Sequence, residues 1–236
     1  MKNVKLKKRI ALVGVLIFAS NYGYSQDVNV LVQKVKAKIE LVNDYEAKGK
    51  MKTNVAFLKV PIANVMVYFK RPNKLKIKNE KGFSFIPKGA VNINMNNILS
   101  AAFTVLDAGV DKIGGVAVRV VKLLPEDDNG DIVLSTLYID ETNALIKKSK
   151  TTTRDNGTYE LQMNYGKFAA YGLPDKVIFS FNTKDYKLPK GVTFDFEDGT
   201  KQPKAEDKTK AKKGRAEIVF SNYSINRGLA DGVFLQ

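Results

Sequence analysis

The chain has no cysteine, no histidine and no tryptophan among its 236 residues. Without cysteine there is no disulfide and no thioether-linked lipid, so stability has to come from a large packed core. Without histidine, the commonest general base and the commonest transition-metal ligand are missing. So is any Ser-His or Cys-His nucleophile pair. Paired carboxylates and Ser-Lys chemistry remain formally open, but most hydrolase schemes are excluded and a non-enzymatic protein without a cofactor is expected. The short motifs do not alter this. Gly114-Gly115 lacks the lysine and the spacing of a phosphate loop. The acidic run Asp127-Asp128-Asn129-Gly130-Asp131 has Ile132 where an EF-hand needs glycine and Tyr138 where it needs glutamate, which leaves a hairpin turn. Acidic residues are scarce as well, 24 against 39 lysines and arginines, for a net charge of +15.

What is present first is an address. Lys2, Lys5, Lys7, Lys8 and Arg9 precede the apolar run Ile10–Ala19, and Gly23-Tyr24-Ser25 follows as a small-x-small exit. Basic, apolar and small-residue regions in that order form a secretory signal peptide. The apolar run is too short to cross a bilayer, which takes about 20 residues. Cleavage after Ser25 would leave 211 of the 236 residues, starting at Gln26, as an exported chain without an anchor. Subtracting the five leader cations leaves a mature charge of about +10, still strongly basic. For an exported protein that charge points to phospholipid headgroups, acidic glycans or acidic proteins, or to a solvated lysine-rich surface. No motif points to nucleic acid.

In the mature chain, Asp27 is placed to cap a helix with Val28, Val32, Val35, Ile39 and Val42 on one stripe. Tyr45 is expected to end that helix and Gly49 to mark the turn after it. From Lys50 the period changes to two. Lys74-Leu75-Lys76-Ile77-Lys78 alternates, as do Phe83-Ser84-Phe85 and Tyr159, Leu161, Met163 and Tyr165. Further strands are expected at Val116–Val120, around Leu137 and Ile139, and at Ile146–Thr152, Val177–Phe181, Val192–Phe196 and Ala216–Tyr223. Turn residues such as Arg71-Pro72-Asn73 and Asp155-Asn156-Gly157 separate them, giving an antiparallel meander. Leu99, Phe103, Leu106 and Val110 fall at helical spacing, and Asn97–Val110 is expected to form an apolar helix in mid-chain. That helix is either ordinary core or a lid across the open side of the sheet, with Leu99, Phe103 and Leu106 turned inward. Residues 200–215, rich in lysine, are expected to form an exposed loop whose run Lys208–Arg215 is either simply solvated or in contact with an anionic partner.

The fold class expected is α+β: a strongly curved antiparallel sheet covered by the N-terminal helix and the mid-chain helix. The inner face is rich in the chain's 13 phenylalanines and 10 tyrosines. It can enclose either a solid core or a lipid-sized cavity.

The order of these features resembles the LolA/LolB-like superfamily of lipoprotein carriers: signal peptide, amphipathic helix, early strands running into Phe69-Lys70-Arg71-Pro72, a mid-chain apolar helix, then further strands. Lys70-Arg71-Pro72 is similar to the carriers' Lys-Arg-Pro corner. Ala216–Phe220, leading through Asn226 to Phe234, is similar to their closing strand. The resemblance covers nearly all of residues 26–236 as one domain, with the basic loop near 200–215 as an insertion. Phe83-Ser84-Phe85 stands where the family has a more aromatic strand. The resemblance implies an unclosed β-barrel covered by helices, and a periplasmic, monomeric carrier whose cavity takes acyl chains of lipoproteins or other lipids, with inner- and outer-membrane transfer proteins as partners. It implies that Arg71 bonds to a lid and that Phe69, Phe83, Phe85, Leu99, Phe103 and Leu106 face the ligand. The alternative is an envelope interaction module that binds an acidic protein or glycan through its basic surface.

Overall fold

The computed structural model describes residues 27–55, 58–59, 62–79, 95–155, 157–182 and 213–235. The leader, Phe83, Phe85, Val192–Phe196 and residues 200–212 lie outside these. No helix among the described residues is long and apolar enough to cross a membrane.

Helix α1, Val28–Glu40, begins where the Asp27 carboxylate accepts a hydrogen bond from the Asn29 amide at 2.8 Å. Leu31, Val32 and Val35 are fully buried, each contributing roughly 1.5–3 kcal/mol before the entropy of ordering. The helix stops before Tyr45, because the chain turns into β1, Asp44–Val55. The ladder then runs through β2 (Leu58–Lys59), β3 (Ala63–Lys70) and β4 (Lys74–Asn79). After the short helix α2 (Met95–Ser100) come β5 (Phe103–Ile113), β6 (Val116–Pro125), β7 (Ile132–Asp140), β8 (Leu145–Thr153), β9 (Gly157–Asn164), β10 (Lys176–Asn182) and β11 (Lys213–Ile225). Arg215 is therefore a strand residue and not part of a loop.

The strands form one antiparallel sheet in the order β4-β3-β1-β11-β10-β9-β8-β7-β6-β5, with β2 paired to β1. This is two meanders joined by β11 pairing with β1, not a single meander in sequence order. Among the described residues β4 and β5 end the ladder unpaired, so the barrel is open. Both edges are blunted against further pairing. The outer face of β4 carries Lys74, Lys76 and Lys78. β5 is broken by a bulge at which Gly109 takes φ +88° and donates its amide to Asp107 Oδ1 at 2.9 Å.

The mid-chain helix is corrected. Only Met95–Ser100 is helical, and Phe103–Ile113 is an edge strand. Thr104, Val105, Val110 and Ile113 are β-branched, and Gly109 weakens a helix from within. Gly114 and Gly115, at φ +56° and +83°, form the two-residue turn that folds β5 onto β6. Two smaller expectations also shift. In β6 the core positions are Val121 and Leu123, whereas of Val116, Val118 and Val120 only Val118 is buried. Gly49 sits inside β1 and makes no turn. It faces the bulge where β11 carries an extra residue, and a Cβ there would lie 2.8 Å from the Val219 carbonyl oxygen.

Candidate ligand cavity

The interior is divided. One apolar cluster joins α1 and α2 to β6–β10 through Leu31, Val35, Leu99, Val121, Leu137 and Phe179. The other joins β1, β3 and β11 through Ala47, Met51, Val67, Phe69 and Tyr223. Between them, on the concave face of the sheet and beneath the last turns of α1, lies a cavity of about 200 Å³. Val35 and Ile39 line it from the helix, and Tyr45, Phe69, Leu75 and Ile77 from β1, β3 and β4. Ile146, Leu161, Met163, Val177 and Ile218 line it from the opposite strands. An apolar void of roughly 150 Å³ already stays dry and takes up benzene, so this one is able to hold a segment of an alkyl chain.

One wall is aromatic. Tyr45 stacks on Phe69 with ring centroids 5.3 Å apart and meets Tyr223 edge-on at the same distance. Phe168 and Phe220 pack on Tyr223 from behind at 4.9 and 5.0 Å. The polar groups are mostly satisfied within the protein. Tyr165 donates its hydroxyl to the Ile146 carbonyl at 2.9 Å, and Tyr223 donates to Pro174 at 2.7 Å. Burial raises the phenol pKa values of Tyr45 and Tyr165. It also raises that of Tyr223, whose ionisation is further opposed by neighbouring Tyr45, Asp175 and Tyr165. These rings are neutral walls. Among the described lining residues only Lys38 is charged, and its ammonium is directed to the Asn143 carbonyl oxygen.

Arg71 closes the corner after β3. Its amide donates to the Asn43 carbonyl at 2.8 Å. Its guanidinium reaches the Glu40 carbonyl at 3.1 Å and the Glu40 carboxylate at 3.3 Å, so it holds the last turn of the helix that roofs the cavity. The same helix end is tied from the far end of the chain. Asn226, at φ +54°, accepts from the Asn43 amide at 2.7 Å and donates to the Leu41 carbonyl at 2.8 Å.

The residues expected at the ligand are only partly brought together. Phe69 lines this cavity. Leu99 is packed in the first cluster. Phe103 borders a second cavity of about 270 Å³ between α2 and β5–β7, where Asp127 and Asp131 also stand and suit an alkyl chain poorly. Leu106 is 46% exposed on the outer face, as its register in an edge strand requires. Phe83 and Phe85 lie outside the described residues. Sequence reading missed Tyr45, Leu75, Ile77 and Ile218 as lining residues. Their signal was the strand alternation itself, which marks an inner face without saying what fills it.

An open antiparallel barrel with a helix laid across its apolar mouth defines the class of fold. Neither a protein-family model nor a curated protein matches the sequence. Solved structures do match. An outer membrane lipoprotein-sorting domain from Vibrio parahaemolyticus aligns at TM-score 0.55 and 11% identity, covering 87% of this chain and 94% of that one. A LolA superfamily protein from Nitrosomonas europaea aligns at TM-score 0.53 and 10% identity, covering 86% and 96%. A DUF1329 family protein from Desulfovibrio piger aligns at TM-score 0.53 and 10% identity, covering 87% and 94%. The chain has the LolA-like fold.

Proposed function

We propose that this protein is a periplasmic, non-enzymatic carrier that holds acyl chains of lipoproteins or other lipids in the cavity beneath α1 and passes them toward the outer membrane. The observation that carries this reading is the cavity itself. It is an apolar space of about 200 Å³ at the seam of two clusters, in a kind of interior where voids larger than a water molecule are few. The likeness in fold to the lipoprotein-sorting domain supports it, as do the leader read in residues 1–25 and the single domain read in 26–236. Arg71 serves as the latch. Its fork holds one backbone carbonyl and one carboxylate of α1 without a covalent tie, so the helix can lift and reseat. The carrier works as a monomer that meets transfer proteins at the two membranes.

The test is to purify the protein without detergent and look for bound acyl ligand by native mass spectrometry and lipid extraction. A fluorescent fatty acid is then titrated into the delipidated protein. Bound lipid and saturable uptake are expected, and Arg71→Ala should release the probe faster with an unchanged number of sites. A protein that is empty as purified and takes up no probe would refute the reading.

A further inference from the structure

On the outer wall of the barrel the charge is distributed very unevenly. Lys48, Lys50 and Lys52 alternate along β1 with the buried Ala47, Gly49 and Met51, so all three project outward and all are exposed. Lys78 of β4 is a fourth outward lysine, reached from Lys48 across Met66 of β3. Among the described residues none of these four lysines forms an ion pair. Among the described residues, the carboxylates on the outward side of β1, β3, β4 and β11 are Glu46, Glu217 and Asp44, the last buried where it accepts from the Arg227 and Gly228 amides. Glu217 is already occupied by Lys176 at 2.7 Å and Arg215 at 3.1 Å. Lys70 and Lys74 are likewise occupied by Asp231.

We propose that this β1 face docks the protein onto an anionic lipid bilayer through Lys48, Lys50 and Lys52. A barrel wall curves across its strands and runs nearly straight along each one. Three lysines at alternate positions therefore form a line about 13 Å long that meets a plane all at once, while neighbouring strands fall away from it. The unpaired cations are lysines on a convex surface; the guanidinium nearest to them, that of Arg215, is already held by Glu217. That favours a diffuse sheet of phosphates over the discrete, paired carboxylates of a protein surface. Met66, half-buried, lies between Lys48 and Lys78, and Val219, 45% exposed, lies beside Lys50 on β11, so the lysine stems stand on apolar ground and keep their ammonium groups outermost. The inference does not require an occupied cavity, but it places the docking wall on the back of the strands whose inner face presents Tyr45 and Phe69.

The experiment is co-sedimentation of the full-length chain, as processed by its host, with two kinds of vesicle: phosphatidylcholine alone, and phosphatidylcholine mixed with phosphatidylglycerol. Binding to the mixed vesicles only, weakened by added salt, is expected. A lysine at an anionic surface is worth about fivefold in partitioning. The triple variant Lys48→Gln, Lys50→Gln, Lys52→Gln should therefore lose on the order of a hundredfold. The control variant Lys112→Gln, Lys122→Gln, Lys150→Gln has the same net charge and removes exposed lysines from β5, β6 and β8. It should lose no more than a few-fold. Melting curves establish that both variants are folded, and fatty-acid uptake by the β1 variant should be unchanged, which keeps this question apart from that of the cavity. Equal losses in the two variants would reduce the effect to net charge and overturn the proposal. It is also overturned if the native chain ignores anionic vesicles, including the case where it binds an acidic polypeptide such as polyglutamate instead.

Discussion

At the scale of single residues, the tightest constraint is at Gly49. β11 passes so close at its bulge that a Cβ on residue 49 would sit 2.8 Å from the Val219 carbonyl oxygen and 3.2 Å from the Ile218 side chain. A backbone oxygen held in a ladder has nowhere to move, so Gly49→Ala should cost about 1–3 kcal/mol, as overpacking does. For a chain of this size that corresponds to roughly 2–4 °C of melting temperature per kcal/mol. A melting curve unchanged by the substitution would mean that β1 and β11 can slide apart at the bulge. Sequence reading took this glycine for a turn because a glycine after a helix usually is one. The close approach that demands it comes from a strand some 170 positions later, which no local pattern reveals. Arg71 was legible as a corner residue, but its contact with Glu40 depends on where α1 ends.

At the scale of elements, what was legible is what has one-sided burial. The helix α1 with Val32 and Val35 on its buried stripe, the alternations of β4 and β9, and the strands β7, β8 and β10 were legible, because one face meets the core and the other water. The segment from Leu99 to Val110 did not. Its apolar residues fall at steps of four, three and four, a helical spacing, and a strand buried weakly on both faces shows no clean period of two to contradict it. The hairpin glycines at 114 and 115 and the β-branched residues before them carried the true signal. The end of the chain forms an element of another kind, a strap across the outside of β3 and β4. Lys70 donates to the Leu229 carbonyl and Lys76 to that of Val233, each at 2.8 Å, and Asp231 pairs with Lys70 and Lys74 at 2.8 and 3.0 Å. Hydrogen bonds from those two lysines hold the Asp231 pKa below its ordinary 3.8. A carboxylate depressed on folding contributes stability that is present above its unfolded pKa and lost as pH falls through the folded one. Hydrogen exchange of residues 226–235 should thus quicken as pH falls below about 3.8, after correction for intrinsic rates. Asp231→Asn should show the quicker exchange already at neutral pH and lose the acid dependence. The global melting temperature should barely move, since the pair is solvent-exposed. An acid dependence that survives in Asp231→Asn would assign it to another carboxylate.

At the scale of the whole molecule, the arrangement follows from how the chain closes. β11 returns to pair with β1, so the first and last thirds of the chain share one wall, and the helix that precedes the sheet is left to cover the concave side. Because that helix buries Leu31, Val32 and Val35 toward the first cluster, its last turns span the gap to the second cluster without filling it. The cavity is what remains between. Sequence periodicity marks an inner face and cannot give the distance between two inner faces, so a solid core and a cavity look alike from the sequence. A substitution that fills the space separates them. Leu161 of β9 lines the cavity and is only partly buried, so Leu161→Trp places an indole in an existing void without forcing the strands apart. If the space is an adventitious packing defect, filling it should stabilise the fold by added contacts and change nothing else. If it is the ligand site, the variant should fold with an equal or higher melting temperature, come through purification with less bound lipid, and take up a fluorescent fatty acid at least tenfold more weakly. Melting and titration of the same preparation decide between the two. A stable variant with undiminished uptake would move the acyl chain out of this cavity and require the carrier reading to find another site.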